Sequence, residues 1–576
     1  MRSITLTRRE EQGQVEEEIN ILIADRIAQE GIDLLRTQLP DAHIDIGYGL
    51  KSAQLKGKIG KYTALVVRSE TQVTGEILAV ADKLKIVGRA GVGVDNIDIE
   101  AATRRGIMVV NSPTGNIVAA AEHTIAMLMA LARHLPDANS STKAGKWEKS
   151  RFLGVEVRNK ILGVIGLGKV GTEVARRAQG LEMQVIAFDP YVAPEQARKL
   201  DVTMLSMEEV LQQADFVTLH TSLTSGPQGT RGLIGARELQ LLKAGARLIN
   251  CARGGLIDEE ALLNALQENR LAGVALDVFS QEPIGNNEVL QQLLADERVI
   301  ATPHLGASTE EAQLGVATDV AEQIVSVLRG GFPRAAVNAP LILPETLHTL
   351  QPYMHLVEQM GRLYTQLQPG PLHKIEFSCS GEIANNDLRP LQAALIKGLL
   401  ESVSDAHVNM INAPLLAKQW GLELNEQKST TPAEFANLVT IRLMHANGYS
   451  SSFAGKPGSG DDYVEVISGT VMHNEPRIVR IGRYWTEFVP EGYILFCSNP
   501  DQPGMIGRVG TILGKAKVNI RHMDVGPSVR SPHTRDSKRS PDTALMIISV
   551  DDPIPDWALE EIKGTGDIFG VTLVKV

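Results

Sequence analysis

The chain of 576 residues has only three cysteines, Cys251, Cys379 and Cys497, far apart and without a CxxC pair. That excludes a disulfide framework and a zinc knuckle, leaves no metal site to expect, and suits a reducing, cytoplasmic compartment. A basic excess is also missing: 57 Lys+Arg against 68 Asp+Glu leave a formal net charge of −11. A general nucleic-acid binder carries the opposite balance, so no nucleic-acid partner is expected. Long apolar runs are absent. The most apolar stretch, residues 117–132, is broken by Glu122 and His123 and is too short to span a bilayer, so no membrane partner is expected. The first 18 residues hold Glu10, Glu11, Glu16, Glu17 and Glu18 and no apolar segment, which suits neither a signal nor a transit peptide. Residues 1–18 read as a solvated, disordered extension.

What remains is a globular composition. Hydrophobic residues make up 43% and charged residues 22%, which excludes global disorder. The length suggests about four domains. Residues 19–115 alternate apolar strands with helical patterns: INILIA (19–24), ALVVRS (64–69), LKIVGRAG (84–91) and IMVVNSP (107–113). Such alternation predicts a parallel sheet covered on both faces. A long helix is expected over 116–133, followed by a second α/β run with strands at 160–165, 184–189, 215–220, 246–252, 273–279 and 298–303. A further helix spans 308–328, and GGFPRAAVNAP (330–340) marks a boundary. Residues 331–488 read as mixed α+β. Residues 492–576 read β-α-β-β-α-β, the ferredoxin-like order.

Gly166-Leu167-Gly168-Lys169-Val170-Gly171 is a GxGxxG between an apolar strand and a helix, and Asp189 ends the next strand about 20 residues on. The glycines permit a tight turn and let backbone N–H groups approach a pyrophosphate at the helix N-terminus. Asp189 suits the ribose hydroxyls and repels a 2′-phosphate, which favours NAD over NADP. Three polar groups then follow three successive strands: Arg253, Glu282 and His304. In an open parallel sheet the carboxyl ends of strands line the ligand crevice. Their chemistry suits oxidation of a 2-hydroxy acid. His304 takes the hydroxyl proton, Glu282 fixes and stabilises the imidazolium, and Arg253 grips the carboxylate. His220, at another strand end, fits a structural or cofactor-edge role better than proton transfer.

The stretches GRAGVGVDNID (88–98), GLGKVG (166–171), INCARGGLIDE (249–259), ALDVFSQEP (275–283) and TPHLGAST (302–309) make the chain resemble the D-2-hydroxyacid dehydrogenases. Its full length resembles their long phosphoglycerate dehydrogenase branch. The resemblance implies a fold of two doubly wound parallel-sheet domains. One is a flavodoxin-like substrate domain (19–115 and 303–330), the other a Rossmann NAD domain (116–302). An α+β intervening domain (331–488) and a ferredoxin-like ACT domain (492–576) follow. It implies NAD-dependent oxidation of 3-phospho-D-glycerate to 3-phosphohydroxypyruvate, the entry to L-serine synthesis, by a homo-oligomer. The family's catalytic Arg, Glu and His fall on Arg253, Glu282 and His304, and Glu282 separates this chain from formate dehydrogenases, which carry Gln there. Cofactor contacts fall on Val92, Gly166, Gly168, Lys169, Val170, Gly171, Asp189, Thr221, Cys251, Ala252, Asp277, Leu305, Gly306 and Ala307. Substrate contacts fall on Arg68, Ser69, Arg89, Gly91 and Gly93.

Some positions depart from the family pattern. Lys149 stands where Arg is usual, and the loop TSLTSGPQGTRG (221–232) has Ser222 for proline. The ACT-like region implies an amino-acid effector such as L-serine, through Asn499, Asp501 and Asn519. Serine-inhibited relatives often carry His at the first of these and Asn at the second. The basic EPRIVRIGRY (475–484) is expected to be a solvated strand face, and the insertion 526–543 a mobile solvated loop. Two alternatives stay open: a dehydrogenase of another D-2-hydroxy acid, and a ligand sensor whose dehydrogenase half is inactive.

Overall fold

The computed structural model describes residues 18–224, 226, 229–340, 342, 344–367, 372–404, 407–445, 463–527 and 543–576. Residues 1–17, three residues of the 221–232 loop and most of the 526–543 insertion lie outside the described residues.

The first sheet is wholly parallel. Its strands run His43–Ile46, Asn20–Ile23, Ala64–Val67, Ile86–Arg89 and Met108–Asn111 across the sheet. Asn20–Ile23 and Ala64–Val67 are buried throughout, as strands covered on both faces must be, whereas the edge strand His43–Ile46 is half exposed. The strand expected from INILIA (19–24) stops at Ile23, because the following Asp25 turns its carboxylate to the loop after Ala64–Val67. Helix Glu310–Leu328 returns to this sheet. Its Val320 and Ile324 pack with Ile21, Ile23, Val66, Ile86 and Val110. Thr309 caps it by accepting the Ala312 N–H, which starts the helix two residues later than the pattern suggested.

The second sheet has seven parallel strands. They run Val299–Ala301, Leu271–Leu276, Ala246–Asn250, Phe216–Leu219, Ile161–Ile165, Gln184–Phe188 and Thr203–Met204. The order reverses at Ile161–Ile165, so a crevice opens at its carboxyl end beside Phe216–Leu219. Helix Ile117–Arg133 lies against this sheet, with Met127, Leu128 and Leu131 in its core.

Beyond residue 340, helices Pro344–Leu367 and Arg389–Leu400 pack on a six-stranded mixed sheet. The last sheet is four-stranded and antiparallel, in the order Ile520–Pro527, Thr543–Val550, Tyr493–Pro500, Gly570–Lys575. Ile494, Phe496, Leu545 and Ile547 of that sheet share one core with Leu356, Met360 and Leu363 of the long helix. Gln366 closes the junction, donating to the Lys575 carbonyl at 2.8 Å and accepting its N–H at 2.9 Å. The basic 475–484 stretch is internally paired: Arg477 meets Glu475 and Glu487, and Arg480 lies over Trp485. No helix among the described residues is long and apolar enough to cross a membrane.

One glycine controls how closely the returning helix lies on the first sheet. A Cβ on Gly88 would sit 2.5 Å from Val320 Cγ1 and 2.8 Å from Ile324 Cδ1. Gly88→Val should therefore destabilise this layer by about 1–3 kcal/mol through overpacking. Calorimetry should show the corresponding transition at a lower temperature; unchanged melting would mean the helix has room to move away.

Candidate active site

The glycine loop is built by close approach. Gly166 has φ +95°, and a Cβ there would fall 2.5 Å from the His220 carbonyl oxygen. A Cβ on Gly171 would fall 2.1 Å from the Gly166 oxygen. Gly168, at the N-cap of helix Lys169–Gly180, has nothing within 4 Å of its Cβ position. The outer glycines are thus demanded by the fold, and the middle one faces open space beside Lys169 and Val170 at the positive end of a 12-residue helix. Asp189 accepts the Leu167 N–H at 2.9 Å and the Tyr191 N–H at 2.8 Å, so it braces the loop while remaining partly exposed. The Thr221 hydroxyl is buried without a partner. An open cradle, an acid at the adjacent strand end and an orphaned hydroxyl fit a dinucleotide.

The flanking groups are held neutral. Burial pushes His220 down to about 4, and its ring meets Thr218 Oγ1 at 3.0 Å, so it is an uncharged imidazole at neutral pH. Burial, reinforced by Asp277, pushes the Cys251 thiol up to about 12, which makes it lining rather than a nucleophile.

Three successive strand ends deliver Arg253, Glu282 and His304. Asn250, 2% exposed, accepts the Ala252 N–H and donates to the Arg253 carbonyl, fixing the turn that projects Arg253. His304 Nδ1 lies 2.7 Å from Glu282 Oε2, and Glu282 Oε1 accepts the Phe279 N–H at 2.9 Å. Burial alone would raise the Glu282 carboxyl, but the bonds from His304 and Phe279 outweigh it and hold the group below the usual carboxylate range. Nδ1 is therefore committed to a carboxylate and Nε2 is the nitrogen left for a proton.

A gathering of cations stands at the strand ends of the first sheet, and Arg253 joins it from the second. Arg89 from the first sheet is pushed down to about 10, by burial first and then by Arg253 and Arg68. Its Nε is buried without a partner. Gly91, at φ +151°, lets Arg89 fold over the loop: a Cβ there would lie 1.8 Å from Arg89 Nη1. A Cβ on Gly93 would lie 2.6 Å from Arg253 Nη2. Arg253 reaches across from the second sheet, with its Nε 3.3 Å from Asp95 Oδ2. Asp25 accepts the Arg68 N–H at 2.6 Å, and Asn96 donates to the Arg68 and Thr71 carbonyls, so the Arg68–Ser69 turn is tied from two sides. Val92 takes a hydrogen bond from Asn111 on its carbonyl.

Sequence reasoning missed Asp25, Asp95, Asn96 and Asn250. Each stands at a strand end or in the GRAGVGVDNID stretch, which was the available signal. Leu305, Gly306 and Ala307 form the turn after His304, with Asp277 beneath it. Lys149 lies in the short helix Lys149–Phe152, remote in sequence from these loops. The three effector positions are not brought together within one chain. Asn499 is level with Ala544, whereas Asn519 precedes Ile520, which is level with Val550 at the other end of the same strand. Asn499 is buried with Oδ1 unpartnered, Asp501 is exposed, and Asn519 donates to Asp551 at 2.6 Å.

Comparison with known proteins agrees along nearly the whole chain. Residues 125–306 match the D-isomer specific 2-hydroxyacid dehydrogenase NAD binding domain. Residues 349–482 match the D-3-phosphoglycerate dehydrogenase intervening domain, and 493–566 the ACT domain. The chain is 42% identical to D-3-phosphoglycerate dehydrogenase of Synechocystis sp., over 96% of this chain and 94% of that one. It is 38% identical to the enzyme of that name from Archaeoglobus fulgidus, over 97% of this chain and all of that one. Among solved structures, the TT0316 protein of Thermus thermophilus aligns at TM-score 0.51 and 32% identity, covering 55% of this chain and all of that one. With the glycine cradle, the His304–Glu282 pair and the arginine cluster in place, the chain belongs to the long-form D-3-phosphoglycerate dehydrogenase family of NAD-dependent 2-hydroxyacid oxidoreductases.

Proposed function

We propose that the protein oxidises 3-phospho-D-glycerate to 3-phosphohydroxypyruvate. The observation that carries this reading is the convergence of Arg68, Arg89 and Arg253, with His304 and Glu282 paired after the two strands that follow the one delivering Arg253 in the sheet. A substrate with a carboxylate at one end and a phosphate at the other offers anions enough to offset three guanidiniums; an unphosphorylated acid does not. Arg253 holds the carboxylate and the developing carbonyl oxygen. Arg68, Ser69 and Arg89, with the backbone of Gly91 and Gly93, hold the phosphate end. NAD, when bound in the Gly166–Gly171 cradle, supplies the hydride acceptor. His304 Nε2 takes the C2 hydroxyl proton, and Glu282, ionised at neutral pH, stabilises the resulting imidazolium through Nδ1–H.

The assembly we propose is a homo-oligomer. Segment 135–153 leaves Trp147 88% and Leu153 85% exposed, unusual for large apolar side chains on an isolated subunit. An amino-acid effector site using both Asn499 and Asn519 also needs a second copy, since one chain holds them at opposite strand ends. The three unpaired cysteines support a cytoplasmic setting.

Initial-rate NADH formation tests the reading directly, with and without millimolar L-serine. Activity with 3-phospho-D-glycerate should be at least about 100-fold lower in His304→Ala. Arg68→Ala should raise KM for the phosphorylated acid far more than for an unphosphorylated analogue. Turnover of D-lactate or glyoxylate with none of the phosphorylated acid would move the protein to another 2-hydroxy acid. Glu282→Gln removes the charge that answers the developing imidazolium, so kcat should fall at least about tenfold while KM for NAD changes little. An unchanged kcat would separate Glu282 from the proton transfer. For the assembly, light scattering should show Trp147→Glu/Leu153→Glu moving toward single-chain mass; unchanged mass would place the interface elsewhere.

A further inference from the structure

Arg253 serves the site from the second sheet, but one of the two groups that hold its side chain belongs to the first. A guanidinium presents three nitrogen corners and five N–H donors in a rigid plane. Nη1 of Arg253 donates to the carbonyl of its neighbour Ala252 at 2.7 Å. Nε stands 3.3 Å from Asp95 Oδ2. Nη2 has no acceptor among the described residues and lies 2.6 Å from where a Cβ of Gly93 would be. With Nε turned to Asp95, the edge formed by Nη1 and Nη2 is the one left for a carboxylate to take in two parallel bonds.

Asp95 is given to this contact alone. Arg253 is its one polar partner among the described residues, and its side chain is 66% exposed. The backbone beneath it is fixed. Asn96, the next residue, donates to the Arg68 and Thr71 carbonyls at 3.0 and 2.7 Å, and its own carbonyl accepts the Val73 N–H at 2.8 Å. The Ile97 N–H closes on the Val94 carbonyl at 3.0 Å. A short acid on an anchored turn thus meets a long cation, and the turn decides where the guanidinium stands. Gly93 leaves room for the approach: a Cβ there would also fall 3.0 Å from Asp95 Oδ2 and would wedge the pair apart. An arginine loses much rotamer freedom when it is held in one geometry. The bond to Ala252, from the adjacent residue, leaves the plane free to swing about one corner, and Asp95 supplies the second point of attachment from across the cleft.

We propose that Asp95 is a positioning residue for Arg253: its carboxylate, carried by the loop 90–97 of the first sheet, sets the guanidinium with its Nη1–Nη2 edge toward the substrate carboxylate. This rests on the reading of Arg253 as the group that holds that carboxylate. The acid and the arginine belong to different sheets, so the approach of the two sheets and the ordering of the arginine become one event. An open cleft leaves Arg253 with Ala252 alone, and a closed one completes it.

The test uses the full-length protein with NAD and 3-phospho-D-glycerate. Asp95→Ala should raise KM for the acid and lower kcat, reducing kcat/KM about 5- to 20-fold, with KM for NAD within about twofold of wild type. Asp95→Asn keeps an oxygen that accepts from Nε and should recover most of the loss. A second readout needs no turnover. Phenylglyoxal modifies accessible arginines, and mass spectrometry of the peptide that holds residue 253 gives the rate at that side chain. Labelling should be severalfold faster in Asp95→Ala and return toward the wild-type rate in Asp95→Asn. A KM for the acid that falls in Asp95→Ala would make Asp95 a competitor of the substrate for Arg253 and overturn the proposal. Equal losses in the two variants would overturn it too, because the charge and not the aim of Asp95 would then be what matters. So would kinetics and labelling that both stay at wild-type values. A wild type without turnover would refute the catalytic reading separately, while the labelling would still report whether Asp95 holds Arg253.

Discussion

Three guanidiniums brought together across a cleft repel one another, and the architecture around the site is shaped by the need to hold them there. Arg89 bears most of the strain. It is partly buried, its enclosed Nε has no partner, and both Arg68 and Arg253 push against its charge. Nothing about a parallel sheet requires this. Gly91 exists at φ +151° so that Arg89 can lie across the loop, and Gly93 is bare so that Arg253 can approach from the other sheet. Asn96 puts its hydrogen bonds into the Arg68 turn, and so does Asp25, whose buried charge also favours the Arg89 cation. Asp95 offers the second charge in return, at 3.3 Å from Arg253 and largely exposed. Three cations facing two acids keep a positive excess, and such an arrangement gains stability when an anion arrives.

The two carboxylates on the other side of the site divide the labour by environment. Glu282 is half-exposed, bonds directly to the imidazole and answers the charge that develops there. Asp277 is fully enclosed and bonds to the Leu305 and Gly306 N–H groups after the same imidazole and to the side chains of Thr302 and His123. Both are kept ionised by hydrogen bonds that outweigh burial. One bonds to the ring and the other to the turn that follows it.

Much of this was legible in the sequence, for a physical reason. In a parallel α/β sheet the chemistry sits at strand ends, so an apolar run that stops at a polar residue marks both the element and the site. Arg253, Glu282, His304 and the glycine loop announce themselves in that way. What sequence did not disclose depends on partners distant along the chain. Asp25 looks like the tail of a strand until it meets Arg68, and Asn250 looks like a strand residue until it binds the Arg253 turn. Asp277 is a cofactor contact by resemblance, and its protein donors come from residue 123 and residues 302–306, far along the chain from it. The effector positions show the converse. Likeness to a family groups Asn499 with Asn519, whereas strand register separates them within one chain.

The contacts between layers also say where the molecule can move. The region beyond residue 340 and the last sheet share one apolar core through helix Pro344–Leu367, with Phe488 and Phe496 edge to face at 6.0 Å. Such an interface moves as a unit. Its attachment to the first sheet is polar: Asn338 accepts the Val109 N–H and donates to Ile107, and Asn409 donates to Gly106 at 2.7 Å. The cleft between the first and second sheets is crossed by the Arg253–Asp95 pair. Sparse polar contacts permit relative motion where a merged apolar core does not. The strand that receives the Asn338 contacts ends at Asn111, which donates to the Val92 carbonyl next to Gly93 and Arg253. The attachment of the distal block and the floor of the arginine cluster are therefore two ends of one short strand, Met108–Asn111, four residues long.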